Sequence, residues 1–174
     1  MAGGVIINDE FMNEIPELLE RFRRGAELVA VAITGAAGPE LDFKPAPDKW
    51  SVRQIVAHLA DAESANVVRL RQVISEENPT LFPFDQNAWA ERTDYGKRKP
   101  SQALETMRQL RADNHQLLKD LPHETYSRSG NHLKRGRMTL LDLLRLFAEH
   151  AEQHAAQIRE IRGAYKASRA KASA

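Results

Sequence analysis

Three histidines are the residues of this sequence best suited to chemistry. His150 and His154 are four positions apart in a segment whose apolar residues recur at helical spacing. That separation places both imidazoles on one face of a helix, where they can bind the same metal ion. Phe147 and Ile158 belong to the same face, which predicts that both rings point into the protein rather than into water.

His58 lies on the inner face of a second predicted helix, together with Ile55, Leu59 and Ala62. An imidazole in that position needs a hydrogen-bond partner. Three inward-facing histidines on two helices can supply three ligands to one divalent ion. The alternative is that each is a buried histidine bonded to a carboxylate or a carbonyl, or a half-exposed surface residue. The spacing alone does not show that the two helices are neighbours.

The residues around the histidine pair exclude two better-known metal motifs. A di-iron bundle requires Glu-x-x-His, whereas Phe147 and Ala151 stand three positions before the two histidines. The zinc-protease motif places glutamate directly after the first histidine, whereas the order here is HAEQH. Glu152 therefore points away from both imidazoles and is a poor general base.

Three further polar residues are candidates for catalysis. Asp61 follows His58 by three positions and could approach the metal or orient an imidazole, although a surface aspartate would have the same spacing. His132, before the last predicted helix, and Asp85, in a long loop, could overhang a site at the end of the bundle. Each could position a substrate or accept a proton, and the sequence does not choose among them.

Four helices must position these residues, and apolar residues at helical spacing indicate each of them. The predicted helices span residues 13–34, 51–75, 100–121 and 139–163. Ser51 with Gln54, and Thr139 with Asp142, form capping boxes that mark two of the starts. The predicted fold class is therefore all-α, a four-helix bundle.

The connecting segments predict how the helices are joined. The segment between the second and third helices, residues 76–99, is long enough to cross the bundle. The basic segment YSRSGNHLKRGR before the last helix is interpreted as a loop, and no hairpin of strands is expected because no useful length of sequence alternates apolar and polar residues. Residues 1–165 are predicted to form one domain, followed by a flexible basic tail at 166–174.

The composition limits the classes of partner. A chain of 174 residues has the size of one domain, and 25 Lys and Arg nearly balance 24 Asp and Glu, so no net field favours nucleic acid or a membrane. The absence of cysteine excludes thiolate ligands and cysteine nucleophiles. The longest apolar run, residues 28–33, is too short to span a membrane, and no signal-peptide pattern is present. We expect a cytoplasmic protein whose partners are small molecules or a second copy.

Three segments, KWSVRQIVAHLADAE, PFDQNAWAE and SGNHLKRGRMTLLDLLRLFAEHAEQHAAQI, resemble the DinB/YfiT-like metalloprotein superfamily, and the second segment and SGNH resemble its YfiT-like branch. The match runs from residue 50 to residue 158. The resemblance implies a four-helix bundle with a long crossover between helices two and three, and a homodimer. It also implies one divalent metal ion, zinc or nickel with iron or manganese as further candidates, on His58, His150 and His154. Gln86 replaces the acidic residue expected after Asp85.

The same resemblance implies an activity, because related members include transferases that use bacillithiol, mycothiol or glutathione. We expect a metal-dependent transferase that joins a small thiol to an electrophilic substrate, or a metal-dependent hydrolase. Three neutral imidazoles leave a coordination position open, which is typical of a catalytic site. A metal ion lowers the pKa of a coordinated thiol, so the nucleophile need not come from the protein. The alternative is a non-catalytic, stress-related metal-binding bundle.

Overall fold

The computed structural model describes residues 9–173 of the chain, and the predicted all-α four-helix class is confirmed. The helices are α1 (Asp9–Ile33), α2 (Pro39–Asp42), α3 (Val52–Ser75), α4 (Gln86–Arg92), α5 (Pro100–Lys119) and α6 (Leu140–Ala172). The strands are β1 (Thr80–Leu81), β2 (Ser129–His132) and β3 (Gly136–Thr139), and single 3₁₀ segments cover Tyr95–Lys97 and His123–Ser127. Residues 1–8 of the predicted domain and residue 174 of the predicted tail lie outside the described residues.

The starts of α3 and α6 are fixed by the capping boxes that the sequence predicts. The Gln54 side chain accepts a hydrogen bond of 3.1 Å from the backbone N–H of Ser51, and Asp142 accepts one of 2.9 Å from Thr139. α6 continues past the predicted end near residue 163, so residues 166–172 of the expected flexible tail are helical and exposed. No described helix is both long enough and apolar enough to cross a membrane.

Side-chain contacts between helices define their directions. Glu14 of α1 pairs with Arg145 of α6 at 2.6 Å, and Arg21 of α1 pairs with Glu152 of α6 at 2.8 Å. Because the later residue of α1 pairs with the later residue of α6, the two helices are parallel. α1 and α5 are antiparallel, since Glu27 binds Arg108 whereas the earlier Phe22 carbonyl accepts a hydrogen bond from the later Arg111. It follows that α5 and α6 run in opposite directions.

The second and third long helices, α3 and α5, are parallel. Arg53 near the start of α3 donates to the carbonyl of Arg98 just before α5, and Arg71 near the end of α3 donates to Asn114 near the end of α5. The segment between them must return along the whole bundle before α5 can begin. The predicted crossover between helices two and three is therefore present, and it contains β1, α4 and a 3₁₀ turn.

The expectation that no hairpin of strands forms is wrong. β2 and β3 pair antiparallel, and β1 adds to β2 in parallel, which gives a small three-stranded sheet. Strands of two to four residues are too short to show a period of two in the sequence. Gly130 permits the sheet, because a Cβ there would lie 2.9 Å from the carbonyl oxygen of Pro79. The predicted loop before α6 is therefore a β-hairpin that carries His132.

Two large apolar clusters fill the bundle, and a smaller third one contains Ala57, Ala90 and Tyr95. The first contains Phe22, Phe147 and Ala148, and the second contains Ile55 and Ala151. Since residues 148 and 151 of α6 belong to different clusters, the turn that carries His150 crosses from one cluster to the other. Fully burying an apolar side chain contributes roughly 1.5–3 kcal/mol, so packing on both sides holds this turn in place.

Candidate metal centre

The packing of α3 against α6 brings the three predicted histidines together. Nε2 of His150 is 3.1 Å from Nε2 of His58 and 3.1 Å from Nε2 of His154. One nitrogen of each ring lies within 4.8 Å of the other two, and no further histidine or carboxylate of the described residues joins this group. His58 is 1% exposed, and the other two rings are half-buried. We call these three residues the histidine triad.

Burial keeps the triad uncharged at neutral pH. It lowers the pKa of His58 from 6.5 to about 4 and the pKa of His150 to about 2, and mutual repulsion between the protonated rings lowers both further. Burial also lowers the pKa of His154, against the opposing effect of the hydrogen bond that its ring donates to Gln157. Neutral imidazole is the form that binds a metal ion, so the triad needs no deprotonation at pH 7.

Hydrogen bonding orients the ring of His154. Its Nδ1 lies 2.8 Å from Oε1 of Gln157, and because an amide oxygen only accepts, Nδ1 carries the ring proton. The lone pair of the neutral ring is then on Nε2, which faces His150. A partner of this kind on the second ring nitrogen is characteristic of metal-binding histidines.

Packing rather than hydrogen bonding orients His58. The Trp50 ring lies against it with centroids 4.9 Å apart, and Phe84 lies at 6.2 Å. Its Nδ1 is buried and forms no hydrogen bond within the described part of the chain. The polar contact of this ring is therefore at Nε2, toward the other two histidines.

The nitrogen atoms of the triad fit a divalent metal ion. Zinc–nitrogen bonds of about 2.0–2.1 Å in a tetrahedral site place two ligands about 3.3 Å apart, close to the 3.1 Å that separates His150 Nε2 from each of the other two Nε2 atoms. Since His154 presents a lone pair at Nε2, one N–H at Nε2 of His150 could serve both neighbouring rings only as a shared hydrogen bond. One cation between them would satisfy all three.

A cleft of about 450 Å³ opens onto the triad. Its wall includes His58 and His150 from the long helices, Phe84 and Gln86 from the crossover, and His132 and Arg135 from the hairpin. This volume is within the usual range for a small-molecule site. A ligand in the cleft would reach two of the three histidines.

His132 is the predicted catalytic residue that the structure places in the cleft. It is 6% exposed, and its Nδ1 accepts a 3.2 Å hydrogen bond from the backbone N–H of Lys134. Burial lowers its pKa, and the cations Arg69 and Arg135 lower it further. The neutral ring therefore carries its proton on Nε2, which makes it a hydrogen-bond donor.

Asp61 does not contact the triad through a hydrogen bond. Its carboxylate binds Arg98 at 2.5 Å, and Arg98 lies over the ring of Tyr95. Burial and the nearby Asp61 raise the pKa of Tyr95 above its ordinary value. The charge of Asp61 does favour protonation of His58, so its influence on the triad is electrostatic, and its direct contact is with the crossover.

Asp85 caps a helix instead of facing the triad. It is exposed, and one carboxylate oxygen accepts hydrogen bonds of 3.0 Å from the backbone N–H groups of Asn87 and Ala88. These bonds lower its pKa. The next residue, Gln86, lines the cleft. The cap of α4 therefore positions Gln86, which replaces the acidic residue expected from the family resemblance.

Sequence reasoning did not find several residues around the triad. Gln157 could have been found, because it follows His154 by one helical turn. Trp50 was interpreted only as part of a helix start, whereas its ring packs on His58. Arg69 gave no signal in the sequence, because its position in the cleft depends on how the crossover and the hairpin pack against α3.

A family comparison and curated relatives agree with the resemblance. A family model described as the DinB superfamily matches residues 14–158. A protein of Oceanobacillus iheyensis named as a candidate metal-dependent hydrolase is 30% identical over 154 residues, 88% of this chain and 84% of that relative. The YfiT protein of Bacillus subtilis, also named as a candidate metal-dependent hydrolase, is 27% identical over 88% of this chain and 83% of its own length.

The solved structure of YfiT from Bacillus subtilis has the same fold. It aligns with a TM-score of 0.82 and 26% identity, and the alignment covers 92% of this chain and 91% of that one. That protein is described as having an unusual four-helix bundle topology and as a probable metal-dependent hydrolase. The parallel α3 and α5 of the present chain, joined by a crossover, are likewise unlike a simple up-and-down bundle.

Proposed function

This chain belongs to the DinB superfamily, and from that premise we propose that it is an enzyme that uses one divalent metal ion, zinc or nickel, to act on a small molecule. The observation that supports the proposal most directly is the convergence of Nε2 of His58, His150 and His154 beside the cleft. Three neutral protein ligands leave a coordination position for a substrate.

The nucleophile in this proposal comes from outside the protein. When bound, a divalent ion supplies Lewis acidity, which lowers the pKa of a small thiol or of water that reaches it. Thiol transfer agrees with the sequence resemblance and with the absence of cysteine from the chain. Hydrolysis agrees with the names of the relatives. The cleft has room for either co-substrate.

We assign different roles to the three predicted catalytic residues. His132 donates a hydrogen bond from Nε2 to a polar group of the substrate, because its Nδ1 is already occupied. Asp61 acts through Arg98 to hold the crossover against α3. Asp85 acts through the cap of α4, which holds Gln86 in the cleft wall. Of the three, His132 lines the cleft, which supports the proposal that it is the one that touches a substrate.

The homodimer implied by the resemblance remains part of the proposal. Val68 and Phe82 are large apolar side chains that are 57% and 67% exposed, and a second copy could cover them. Light scattering should give a mass of about twice 19.6 kDa. A monomer mass at tens of micromolar protein would remove the dimer from the proposal without affecting the metal site.

The decisive experiment starts from protein purified without an affinity tag. We expect one zinc or nickel ion per chain, loss of turnover on metal removal, and recovery on metal return, assayed against small thiols with electrophiles and against hydrolysable esters and amides. A cobalt-substituted protein should change its visible spectrum when the productive thiol is added. Metal-free protein that is equally active would contradict the proposal, and stoichiometric metal with no turnover in any assay would favour the non-catalytic, stress-related bundle.

A further inference from the structure

Arg69 is a buried cation without a carboxylate partner among the described residues. Its side chain lines the cleft beside the triad and is 7% exposed. Nη2 donates a hydrogen bond of 2.7 Å to the carbonyl of Phe82, and the guanidinium lies 5.7 Å from the centroid of the Phe84 ring. Both contacts hold the group in place, and neither neutralises its charge.

The other buried arginine, Arg111, has the carboxylate partner that Arg69 lacks among the described residues. Arg111 is 1% exposed and forms an ion pair with Glu63, which is buried to the same degree. Removing a charge from water is unfavourable unless an opposite charge or hydrogen bonds compensate. Arg111 receives that compensation within the bundle. Arg69 has no equivalent carboxylate partner in the described part of the chain, although its side chain lines a cleft that a ligand can enter.

Two further cations lie at the same cleft, at the turn of the hairpin. Lys134 and Arg135 are exposed, line the cleft, and form no ion pair in the part of the chain that the structure describes. Arg135 is close enough to Arg69 to lower its pKa, after the larger effect of burial. The hairpin thus places two cations beside the buried one.

No carboxylate lines this cleft among the described residues, although aspartate and glutamate are nearly as frequent in the chain as lysine and arginine. The balanced composition therefore conceals a local excess of positive charge. Arginine pairs with carboxylate and phosphate groups through two parallel hydrogen bonds, and bonds of this charged kind are about twice as strong as neutral ones. An anionic ligand would supply the negative charge that the cleft lacks.

We propose that the substrate carries an anionic group, a carboxylate or a phosphate, which Arg69, Lys134 and Arg135 bind beside the triad. Calling the bound molecule a substrate rests on the proposed function. The anion site itself depends only on these cations. It fixes the orientation of the molecule, because the anionic end faces the hairpin and the reacting end faces His58 and His150. An uncharged analogue of the same size would lack this anchor.

The test measures anion binding to metal-free protein, so that a bound ion cannot attract the probe. Inorganic phosphate and succinate are titrated separately, at constant ionic strength, against protein labelled with ¹⁵N, and the shifts of the arginine Nε–H signals are followed. Ethylene glycol serves as the neutral probe. We expect saturable shifts with phosphate, succinate or both, and none with ethylene glycol. The probe that saturates identifies the anionic group.

The exposed cations provide variants that do not disturb the core. Arg135→Gln and Lys134→Gln should each weaken binding of the anionic probe, by roughly tenfold for the arginine, which is the size expected for one hydrogen bond to a charged group. Arg159→Gln is the matched control, since Arg159 is exposed and has no ion pair in the described structure. It should leave the affinity for the probe unchanged.

Metal binding by the same variants separates this inference from the proposed function. If neither anion saturates, or if the Lys134→Gln, Arg135→Gln double variant binds the probe as tightly as the natural protein, the anion site is overturned even when zinc still binds stoichiometrically. If zinc does not bind while phosphate or succinate does, the anion site stands and the metal-dependent function fails.

Discussion

Arg111 of α5 donates a hydrogen bond of 2.9 Å from Nη2 to the main-chain carbonyl of Phe147, one helical turn before His150. The same guanidinium binds the carbonyl of Phe22 in α1 and the carboxylate of Glu63 in α3. One buried side chain therefore connects all four long helices next to the triad. Four helices that meet at one polar group cannot shift independently, which keeps the spacing between the histidines of α3 and α6 constant.

Replacement of Arg111 by methionine should destabilise the protein by about 3–5 kcal/mol, because it leaves the buried Glu63 without its partner. Urea unfolding measures the change. Arg108→Met is the control: Arg108 lies on the surface of α5, the helix that carries Arg111, and pairs with Glu27 of α1. Surface pairs of this kind contribute at most about 1 kcal/mol. Equal losses for the two variants would show that the buried pair has no special role.

Gly25 should tolerate no side chain, because the guanidinium of Arg111 occupies the space that a Cβ would fill. A Cβ at this position would lie 1.9 Å from Nη1 of Arg111 and 2.8 Å from Cβ of Ala151. Gly25→Ala should therefore destabilise the protein, by about 1–3 kcal/mol as expected for overpacking. Thermal or urea unfolding measures the effect.

Gly163 offers a matched control within α6. A Cβ there meets nothing within 4 Å, so Gly163→Ala should stabilise the protein by roughly 0.5–1 kcal/mol through the better helix propensity of alanine. The two substitutions are chemically identical and differ only in their surroundings. Effects of the same sign would contradict the packing described for Gly25.

The sequence predicts those features that depend on local spacing. The pair of His150 and His154 is recognisable because the two residues are one helical turn apart. The capping box of Ser51 is recognisable because Gln54 follows three residues later. The hairpin was missed because its strands are short, and Arg69 was missed because only the folded crossover and hairpin place it in a cleft. Asp61 illustrates the same limit, since its spacing from His58 fits a site residue while its actual partner is Arg98, 37 positions away.

Alanine at any one of His58, His150 or His154 should sharply reduce metal affinity, because two imidazoles hold a divalent ion much less well than three. Calorimetric titration and metal analysis measure the affinity and the stoichiometry. His115→Ala is the control, since His115 lies on α5 outside the triad. Stoichiometric metal in all three triad variants would show that the ion binds elsewhere.

Metal-free protein should lose stability as the pH falls from 6.5 towards 4. Unfolded histidines take up protons near pH 6.5, whereas burial holds the pKa of His58 at about 4 and that of His150 at about 2 in the folded protein. The unfolded state then binds more protons, so the free energy of unfolding decreases as the solution is acidified, by up to about 1.4 kcal/mol per pH unit for each such histidine.

His150→Gln removes one of these titrations without removing a polar side chain. Over the same pH range, its free energy of unfolding should decline less steeply than that of the natural protein, by up to about 1.4 kcal/mol per pH unit. Urea unfolding at several pH values gives both slopes, and the comparison does not depend on the absolute stability of the variant. Parallel slopes would mean that His150 is protonated as easily in the folded protein as in the unfolded chain.

Gln157 should contribute to metal affinity without touching the ion. It accepts the Nδ1 proton of His154 at 2.8 Å, which keeps the lone pair on Nε2 and the ring facing the triad. Loss of such a partner typically reduces metal affinity 10- to 100-fold, so Gln157→Leu should bind zinc more weakly by that factor and still bind one ion per chain. His154→Ala should lose more, because it removes the ligand itself.

Gln153 is the matched control for this last effect. It lies next to His154 on the same helix and is exposed, so Gln153→Leu makes the same chemical change away from the ring nitrogens. Competition with a chromophoric chelator measures both zinc affinities under identical conditions. If Gln157→Leu and Gln153→Leu bind zinc equally well, His154 is oriented by packing alone, as His58 is by Trp50, and the hydrogen bond at Nδ1 has no part in preparing the site.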